Sequence, residues 1–455
     1  MKRSLRPDLA VIGAGSGGLS VAAGAAQLGL TVVLFEAGEM GGDCLNSGCV
    51  PSKALIAAAA RGWDFPKAIA HVRRTIETIA PIDSQERFEG LGVTVIRETA
   101  RFVDRRTVES DSASVTARKV VIAAGSRPRI LPIPGLADAP YLTNETVFGL
   151  EALPAHLIVL GGGPIGLELS QAFARLGSRV TVLEAERALA KEDPDLAAVV
   201  LEQVRADGVD IREGARVERV ERVEAGPVAV LSDGGRVEGS HLLIATGRMP
   251  NVEALNLEAA GVAYDQHGVT TSRSLRTSNR RVYAVGDITG RPAFTHVAGA
   301  HASLFVRRAL FASPVNADAM VIPRATYTEP ELAVVGLTEA EARARHGEAV
   351  KVVTHAFHDN DRAQTEGDTR GFGKLITDRK GRILGAAIVG AHAGDLIQPF
   401  VVAMSAGVKL SALAGYIAPY PTRGEIVKRL AGQWYSPILF SPRTRRLVSL
   451  LKRLA

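Results

Sequence analysis

Residues 9–36 read LAVIGAGSGGLSVAAGAAQLGLTVVLFE. A short apolar run leads into Gly13, Gly15 and Gly18. A small-residue stretch follows, and after Gly29 a second apolar run, Thr31 to Phe35, stops at Glu36. The pattern predicts a strand, a tight turn, a helix and a second strand. Residues 157–184 read LIVLGGGPIGLELSQAFARLGSRVTVLE and repeat it, with Gly161, Gly163, Gly166 and Glu184 at the matching places. Gly13 to Glu36 and Gly161 to Glu184 both span 23 positions. A lone GxGxxG is a weak signal that a structural turn also produces, but the full pattern twice in one register points to two dinucleotide sites. The first glycine of each admits the turn, the second lets backbone approach a pyrophosphate, and the third lets helix and strand pack closely. The helix start presents free N–H groups to phosphate, and the acid accepts ribose hydroxyls.

Each half has a later echo. VVIAAG at Val120–Gly125 and LLIATG at Leu242–Gly247 are buried-strand runs ending in glycine. RVYAVGD at Arg281–Asp287 is a further strand that returns the chain to the first domain, with Asp287 as a turn cap or a cofactor contact. From Val321 the character changes: GFGKLIT (Gly371–Thr377) and RILGAAIV (Arg382–Val389) suggest an antiparallel sheet. Helical patterns follow at Leu396–Ala406 and Glu425–Ala431. The expected fold class is α/β, with two Rossmann-like dinucleotide-binding domains, one inserted in the other, and a C-terminal α+β domain. The expected boundaries are 1–147 with 270–320 for the first nucleotide domain, 148–269 for the second, 321–435 for the α+β domain, and 436–455 for a tail.

The 455 residues suffice for two to four domains. Charged residues are 22% and the hydrophobic set 46%, which describes an ordinary globular protein rather than a disordered one. The net charge is +6 without a basic block in the body, so nucleic acid is not an expected partner. The N-terminal MKRSLRPDLAVIGAG runs straight into the glycine turn, so it reads as a first strand and not a signal peptide. No stretch approaches the ~18 apolar residues of a membrane helix. A soluble, cytoplasmic protein is expected.

The only two cysteines, Cys44 and Cys49, fall in GGDCLNSGCVPSK at Gly41–Lys53. Two cysteines cannot scaffold a chain of this size, and a close pair in a reducing compartment suits redox or metal chemistry. A metal site needs further Cys or clustered His, so no metal site is expected. On a regular helix of ~3.6 residues per turn the two point about 140° apart. A disulfide between them needs a distorted turn, for which Asn46, Ser47 and Gly48 carry the chemistry, and Pro51 suits the first turn of a following helix. The alternatives are two free buried cysteines or a metal pair.

This string closely resembles the active-site segment of the flavin-dependent pyridine nucleotide–disulfide oxidoreductases, the family of dihydrolipoamide dehydrogenase, glutathione reductase and mercuric reductase. The resemblance extends over nearly the whole chain, through both nucleotide motifs, ATGRMPN (Ala245–Asn251), AVGD (Ala284–Asp287) and YTEPELAVVGLTEAEA through DNDRAQTEGDTRGFGKLITD. It implies FAD on Gly13, Gly15, Gly18, Glu36, Gly42 and Asp287, and a reduced nicotinamide on Gly161, Gly163, Gly166, Glu184 and Gly247. It implies an enzyme in which electrons pass from the nicotinamide through FAD to a Cys44–Cys49 disulfide. Cys49 would face the flavin and Cys44 would exchange with substrate. Lys53, paired with Glu168, would sit near the flavin; apart from the resemblance both are ordinary solvated helix residues. Glu184 suits NADH over NADPH, because an acid there repels a 2′-phosphate, an effect that the nearby Arg187 softens. A homodimer is implied.

One departure bears on the acceptor. Where dihydrolipoamide dehydrogenase and glutathione reductase carry His-Pro-Thr followed by Glu, this chain has Tyr420-Pro421-Thr422 and Glu425. A phenol of pKa ~10 does not replace an imidazole of ~6.5 as a base near neutrality. The tyrosine resembles mercuric reductase, yet that enzyme's C-terminal cysteine pair is absent. Otherwise Tyr420 is an aromatic packed at a dimer interface. The expected activity is electron transfer from NADH to a small-molecule acceptor: a small disulfide, a thiol-bound metal ion such as Hg(II), or a quinone. The alternatives are a dihydrolipoamide dehydrogenase that tolerates Tyr420 and a low-turnover flavin redox sensor. Finally, residues 436–455 carry five cations and no acid among interleaved apolar residues. They suit peripheral membrane contact through a basic amphipathic helix, or a terminal helix packed on the body with its basic face in water.

Overall fold

The computed structural model describes residues 2–224 and 226–452. The chain forms two compact units, Met1–Ala185 with Asp210–Met320, and Glu186–Val209 with Val321–Ala455.

The first unit holds two parallel sheets. One has the order Val282–Ala284, Lys119–Ile122, Leu9–Ile12, Val32–Phe35, Val93–Ile96, every pair parallel. Three of its strands, Leu9–Ile12, Val32–Phe35 and Val282–Ala284, read as unbroken apolar runs because both faces are covered. Alternate side chains enter different cores: Leu9, Val11, Val32, Leu34 and Val121 on one side, Ala10, Ile12, Val33, Phe35 and Ile122 on the other. The second sheet runs Val209–Glu213, Arg179–Glu184, His156–Leu160, His241–Ile244. It lies in sequence between Ile122 and Val282, so one nucleotide fold is inserted in the other, as expected.

Both glycine turns form as read. Gly13 (φ +104°) and Gly161 (φ +109°) lie in the left-handed region that disfavours side chains, and a Cβ on either would strike the carbonyl of Ala123 or Ala245. The helices Ser16–Gln27 and Pro164–Arg175 follow. Arg3–Leu5 differs from the reading of the N-terminus as one strand, pairing instead with Ala113–Val115 in a separate sheet.

The second unit is built on a five-stranded antiparallel sheet, Pro323–Thr326, Glu331–Gly336, Ile383–Gly390, Phe372–Thr377, Lys351–Ala356. The helix Pro194–Ala206 belongs to it. Buried Lys374 reaches Asp195 at 2.6 Å, Glu339 at 3.4 Å and Asp193 at 3.5 Å. A lysine this buried is tolerated because carboxylates compensate its charge. The helix read as Glu425–Ala431 runs on to Leu439, and a separate helix spans Pro442–Leu451. Arg453 and Leu454 of the tail lie outside the described residues.

Candidate active site

The cysteine segment is stitched to the first phosphate turn. Gly41 N donates to Ala14 O at 3.0 Å. Gly42 (φ +63°) lies so close that a Cβ there would come within 2.7 Å of Gly15 Cα. The segment then forms a short helix, Gly42–Asn46, breaks at Ser47 and Gly48, and restarts as Cys49–Ala60. Asn46 closes the short helix, its Nδ2 donating to Met40 O at 3.0 Å and Gly42 O at 2.9 Å. The break removes the angular problem of an i, i+5 pair on one helix, and Cys44 and Cys49 are both free thiols within hydrogen-bond reach of each other.

The two thiols differ sharply. Cys49 is the first residue of its helix, where free N–H groups favour a thiolate. Its pKa is drawn down to about 6, first by the Cys44 S–H donating to it, then by the Thr295 hydroxyl, 3.6 Å from its Sγ, and the Lys53 charge; burial opposes this. Cys44 is pushed up, because it is the donor and is desolvated. At neutral pH the pair is therefore a thiolate at Cys49 and a protonated thiol at Cys44. Lys53 lies one turn along the same helix, and its Nζ donates to Glu168 Oε2 at 2.8 Å. Glu168 is buried, with a side chain 5% exposed, on the helix Pro164–Arg175 of the second nucleotide fold.

Beside the cysteines lies a polar network that the sequence reading missed. Asp43 Oδ1 accepts from Ser47 Oγ at 2.8 Å and Asn144 Nδ2 at 3.0 Å, and its Oδ2 is 3.1 Å from Arg248. Arg248 Nε donates to Ser126 Oγ at 2.8 Å, and Ser126 Oγ donates to Asp287 Oδ2 at 2.6 Å. Arg248 thus links the cysteine loop to the loop carrying Asp287. Behind Asp287, buried His301 Nδ1 accepts from Gly286 N at 3.2 Å, and its pKa is driven down to about 4 by burial and by Arg291. Arg248→Ala is expected to destabilise the protein by about 1–2 kcal/mol, the worth of a charge-assisted hydrogen bond discounted for solvent. Asp43 is 36% exposed, which sets that discount. Urea denaturation reads it, and an unchanged midpoint would mean that solvent already screens the pair.

Both glycine turns fit a dinucleotide. The helices Ser16–Gln27 and Pro164–Arg175 begin at Gly15 and Gly163 without a side-chain cap, which leaves their first N–H groups for an anion. A Cβ on Gly163 or Gly247 would meet nothing within 4 Å, so the space in front of both is open. Glu36 is set at its strand end by Ala14 N at 2.5 Å and Gly38 N at 2.7 Å, and Glu184 by Gly162 N at 2.7 Å. Gly18 and Gly166 each press their helix against the carbonyl of the turn's first glycine, which no side chain would permit.

Tyr420 and Glu425 belong to the second unit. Tyr420 is 70% exposed, and its hydroxyl donates to Asp361 Oδ2 at 2.7 Å. That hydrogen bond to a carboxylate raises its pKa. Glu425 opens the helix Glu425–Leu439 and lies 3.9 Å from Arg429. The site residues that sequence reasoning missed are Asp43, Ser126, Asn144, Arg248, Thr295 and Asp361. Asp43, Arg248 and Asp361 stand inside GGDCLNSGCVPSK, ATGRMPN and DNDRAQTEGDTRGFGKLITD, whereas Thr295 carries no local signal.

Residues 7–302 match the family described as Pyridine nucleotide-disulphide oxidoreductase, and residues 322–431 match its dimerisation domain. The chain is 37% identical over 457 residues to a mercuric reductase of Streptomyces lividans, covering 94% of this chain and 96% of that one. It is 33% identical over 461 residues to dihydrolipoyl dehydrogenase 2 of Haloarcula marismortui, covering 93% and 96%. Among solved structures, the Cu(II) complex of the HOCl-induced flavoprotein disulfide reductase RclA from Escherichia coli superposes with a TM-score of 0.88 at 30% identity, over 93% of this chain and 99% of that one. The chain therefore belongs to the pyridine nucleotide–disulphide oxidoreductases, NAD(P)H-dependent flavoprotein enzymes that use FAD, with a C-terminal dimerisation domain.

Proposed function

We propose that this protein is an NADH-dependent reductase of a thiol-bound soft metal ion of the Hg(II) or Cu(II) kind. Tyr420 carries the reading. Reducing a disulfide to two thiols consumes two protons as well as two electrons, and the family's histidine serves that proton traffic. Tyr420 is a donor tied to a carboxylate, with its pKa raised, so at neutral pH it neither yields its proton readily nor takes one up. Reducing a metal ion consumes electrons only. Oxidation of the Cys49 thiolate and Cys44 thiol to the disulfide releases two of them, enough for one Hg(II) to Hg(0) or two Cu(II) to Cu(I), and the single Cys44 proton leaves on a thiolate freed from the ion. The mercuric reductases and the Cu(II)-complexed RclA among its relatives support the same reading.

In this reading Gly13, Gly15, Gly18, Glu36, Gly42 and Asp287 hold FAD, and Gly161, Gly163, Gly166, Glu184 and Gly247 hold the nucleotide. The proposed domains are 1–147 with 270–320 for FAD, 148–269 for NADH, 321–435 for a homodimer contact and 436–455 for the tail; the helix Pro194–Ala206, inside the NADH span, groups with the second unit. Bound FAD and NADH supply the electron pair. Cys49 stands toward the flavin as the thiolate, and Cys44 meets the ion. Lys53, held by Glu168, lays positive charge beside them. Tyr420 of the second subunit faces the ion with Glu425 nearby. Glu184 accepts the ribose hydroxyls of NADH and repels the extra phosphate of NADPH.

The test is NADH oxidation by purified, FAD-loaded protein with Hg(II) or Cu(II) offered as a thiol complex, against the same assay with lipoamide. The metal complexes are expected to be faster by about 10²-fold, the lower range of a missing acid–base catalyst, with NADH the better donor. A lipoamide rate equal to the metal rate would make the protein a dihydrolipoamide dehydrogenase instead.

A further inference from the structure

The helix Glu425–Leu439 is buried along its first three turns by Ile426, Val427, Leu430, Ala431 and Trp434. Beyond Tyr435, which packs half-buried against the same core, it leaves the core. Ser441 and Thr444 build a joint: Ser441 Oγ accepts from Thr444 N at 3.3 Å, and Thr444 Oγ1 donates to Ile438 O at 3.0 Å. The helix Pro442–Leu451 follows and has no buried residue. The packed reading of the tail therefore fails within this chain. Ile438, Leu439, Phe440, Leu447, Val448, Leu450 and Leu451 are all half exposed or more, up to 63% at Phe440.

The exposed residues are ordered by face. At 3.6 residues per turn, Leu447, Val448, Leu450 and Leu451 share one side of the second helix, and Arg445, Arg446, Ser449 and Lys452 share the other; Arg443, in the first turn, falls on the apolar side at its N-terminal end. Among the described residues none of Arg443, Arg445, Arg446 and Lys452 forms an ion pair, and no acid occurs from 436 to 455. An apolar stripe backed by uncompensated cations matches a surface that is apolar within and anionic at its rim. A second copy of this chain matches it poorly. The dimerisation match ends at residue 431, before the tail begins, and the chain's net charge of +6 repels more cations.

We infer that residues 436–452 form a docking surface for the anionic face of a lipid bilayer. The helix Pro442–Leu451 lies in the interface plane with Leu447, Val448, Leu450 and Leu451 inserted and its cations among the headgroups. Among the described residues no helix is long and apolar enough to cross a membrane, so the contact is peripheral.

Co-sedimentation of the full-length, FAD-loaded protein with vesicles tests this. One vesicle set is neutral phosphatidylcholine and the other contains about one-third phosphatidylglycerol, the anionic component that attracts basic segments. The protein is expected to pellet with the anionic set, to be released by high salt, and to bind at least about tenfold more weakly to neutral vesicles. Both Leu447→Gln/Leu451→Gln and Arg445→Gln/Arg446→Gln/Lys452→Gln are expected to abolish pelleting, while NADH oxidation and the solution mass stay unchanged. A variant truncated after Phe440 checks the point variants against local misfolding. Absence of pelleting, or equal binding to both vesicle sets, overturns the proposal. So does a fall in solution mass in the leucine variant, which would assign the face to a second copy. The electron acceptor is read in a separate assay, so failure here leaves the metal-reductase reading intact, and the reverse holds too.

Discussion

Cys49→Ser is expected to lower NADH-dependent reduction of thiol-bound Hg(II) or Cu(II) by about 10³-fold or more, the scale of losing a reactive nucleophile. Cys44→Ala should do the same, because neither cysteine forms the disulfide alone. The two variants part company in the visible spectrum. A thiolate against oxidised flavin gives a long-wavelength absorbance band. Cys44→Ala should keep it and Cys49→Ser should lose it. A band that survives Cys49→Ser would reverse the proposed order of the two cysteines. The pH dependence carries a second check. In the wild-type reduced pair Cys49 ionises near pH 6, and the largest cause is the Cys44 S–H that donates to it. Removing that donor withdraws stabilisation from the thiolate and not from the thiol. The pKa of Cys49 must then rise, and the band in Cys44→Ala should emerge at higher pH than about 6. Lys53 and Thr295 still favour the thiolate, against burial and the Glu168 charge.

Tyr420→His is expected to raise dihydrolipoamide turnover by about 10²-fold, the lower end of general acid–base catalysis. The reason is protonic. Dithiol oxidation needs a group that takes a proton near neutrality, and an imidazole does so where a phenol does not. Asp361, whose carboxylate lies 2.7 Å from the Tyr420 hydroxyl, would stabilise the imidazolium and push the new histidine's pKa above its usual value. The gain should therefore peak on the alkaline side of pH 6.5, the unperturbed imidazole value. Metal-ion reduction, which needs no proton, should change far less. Comparing kcat/KM for both acceptors across pH reads the result. High wild-type turnover of dihydrolipoamide with no gain in the variant would remove the argument from Tyr420.

Much of the site was legible because its requirements are local. A turn that only glycine admits, an acid at a strand end and a helix start without a cap all lie within about thirty residues of one another. They are imposed by backbone sterics and hydrogen-bond geometry that each segment must satisfy by itself. The same holds for GGDCLNSGCVPSK: its break at Ser47 and Gly48 follows from the turn chemistry of those residues, and its tight fit against Gly15 needs Gly42. The Lys53–Glu168 pair came only from family resemblance, since the two residues are 115 positions apart and look solvated in isolation.

Two dinucleotide folds, one inside the other, a close cysteine pair, and the tyrosine in place of a histidine are readable from residue order alone. Repeated spacing and residue chemistry suffice for these. Which groups surround those residues follows from three-dimensional packing. Thr295 reaches Cys49 across 246 positions, Arg248 joins Asp43 to Asp287, and Asp361 turns Tyr420 into a donor. Such contacts arise from packing between distant segments and leave no period or motif to read. The tail divides the same way. Its amphipathy is written in the residue order, but whether that face is buried on the body depends on where the core ends, and the last buried residue of that helix is Trp434.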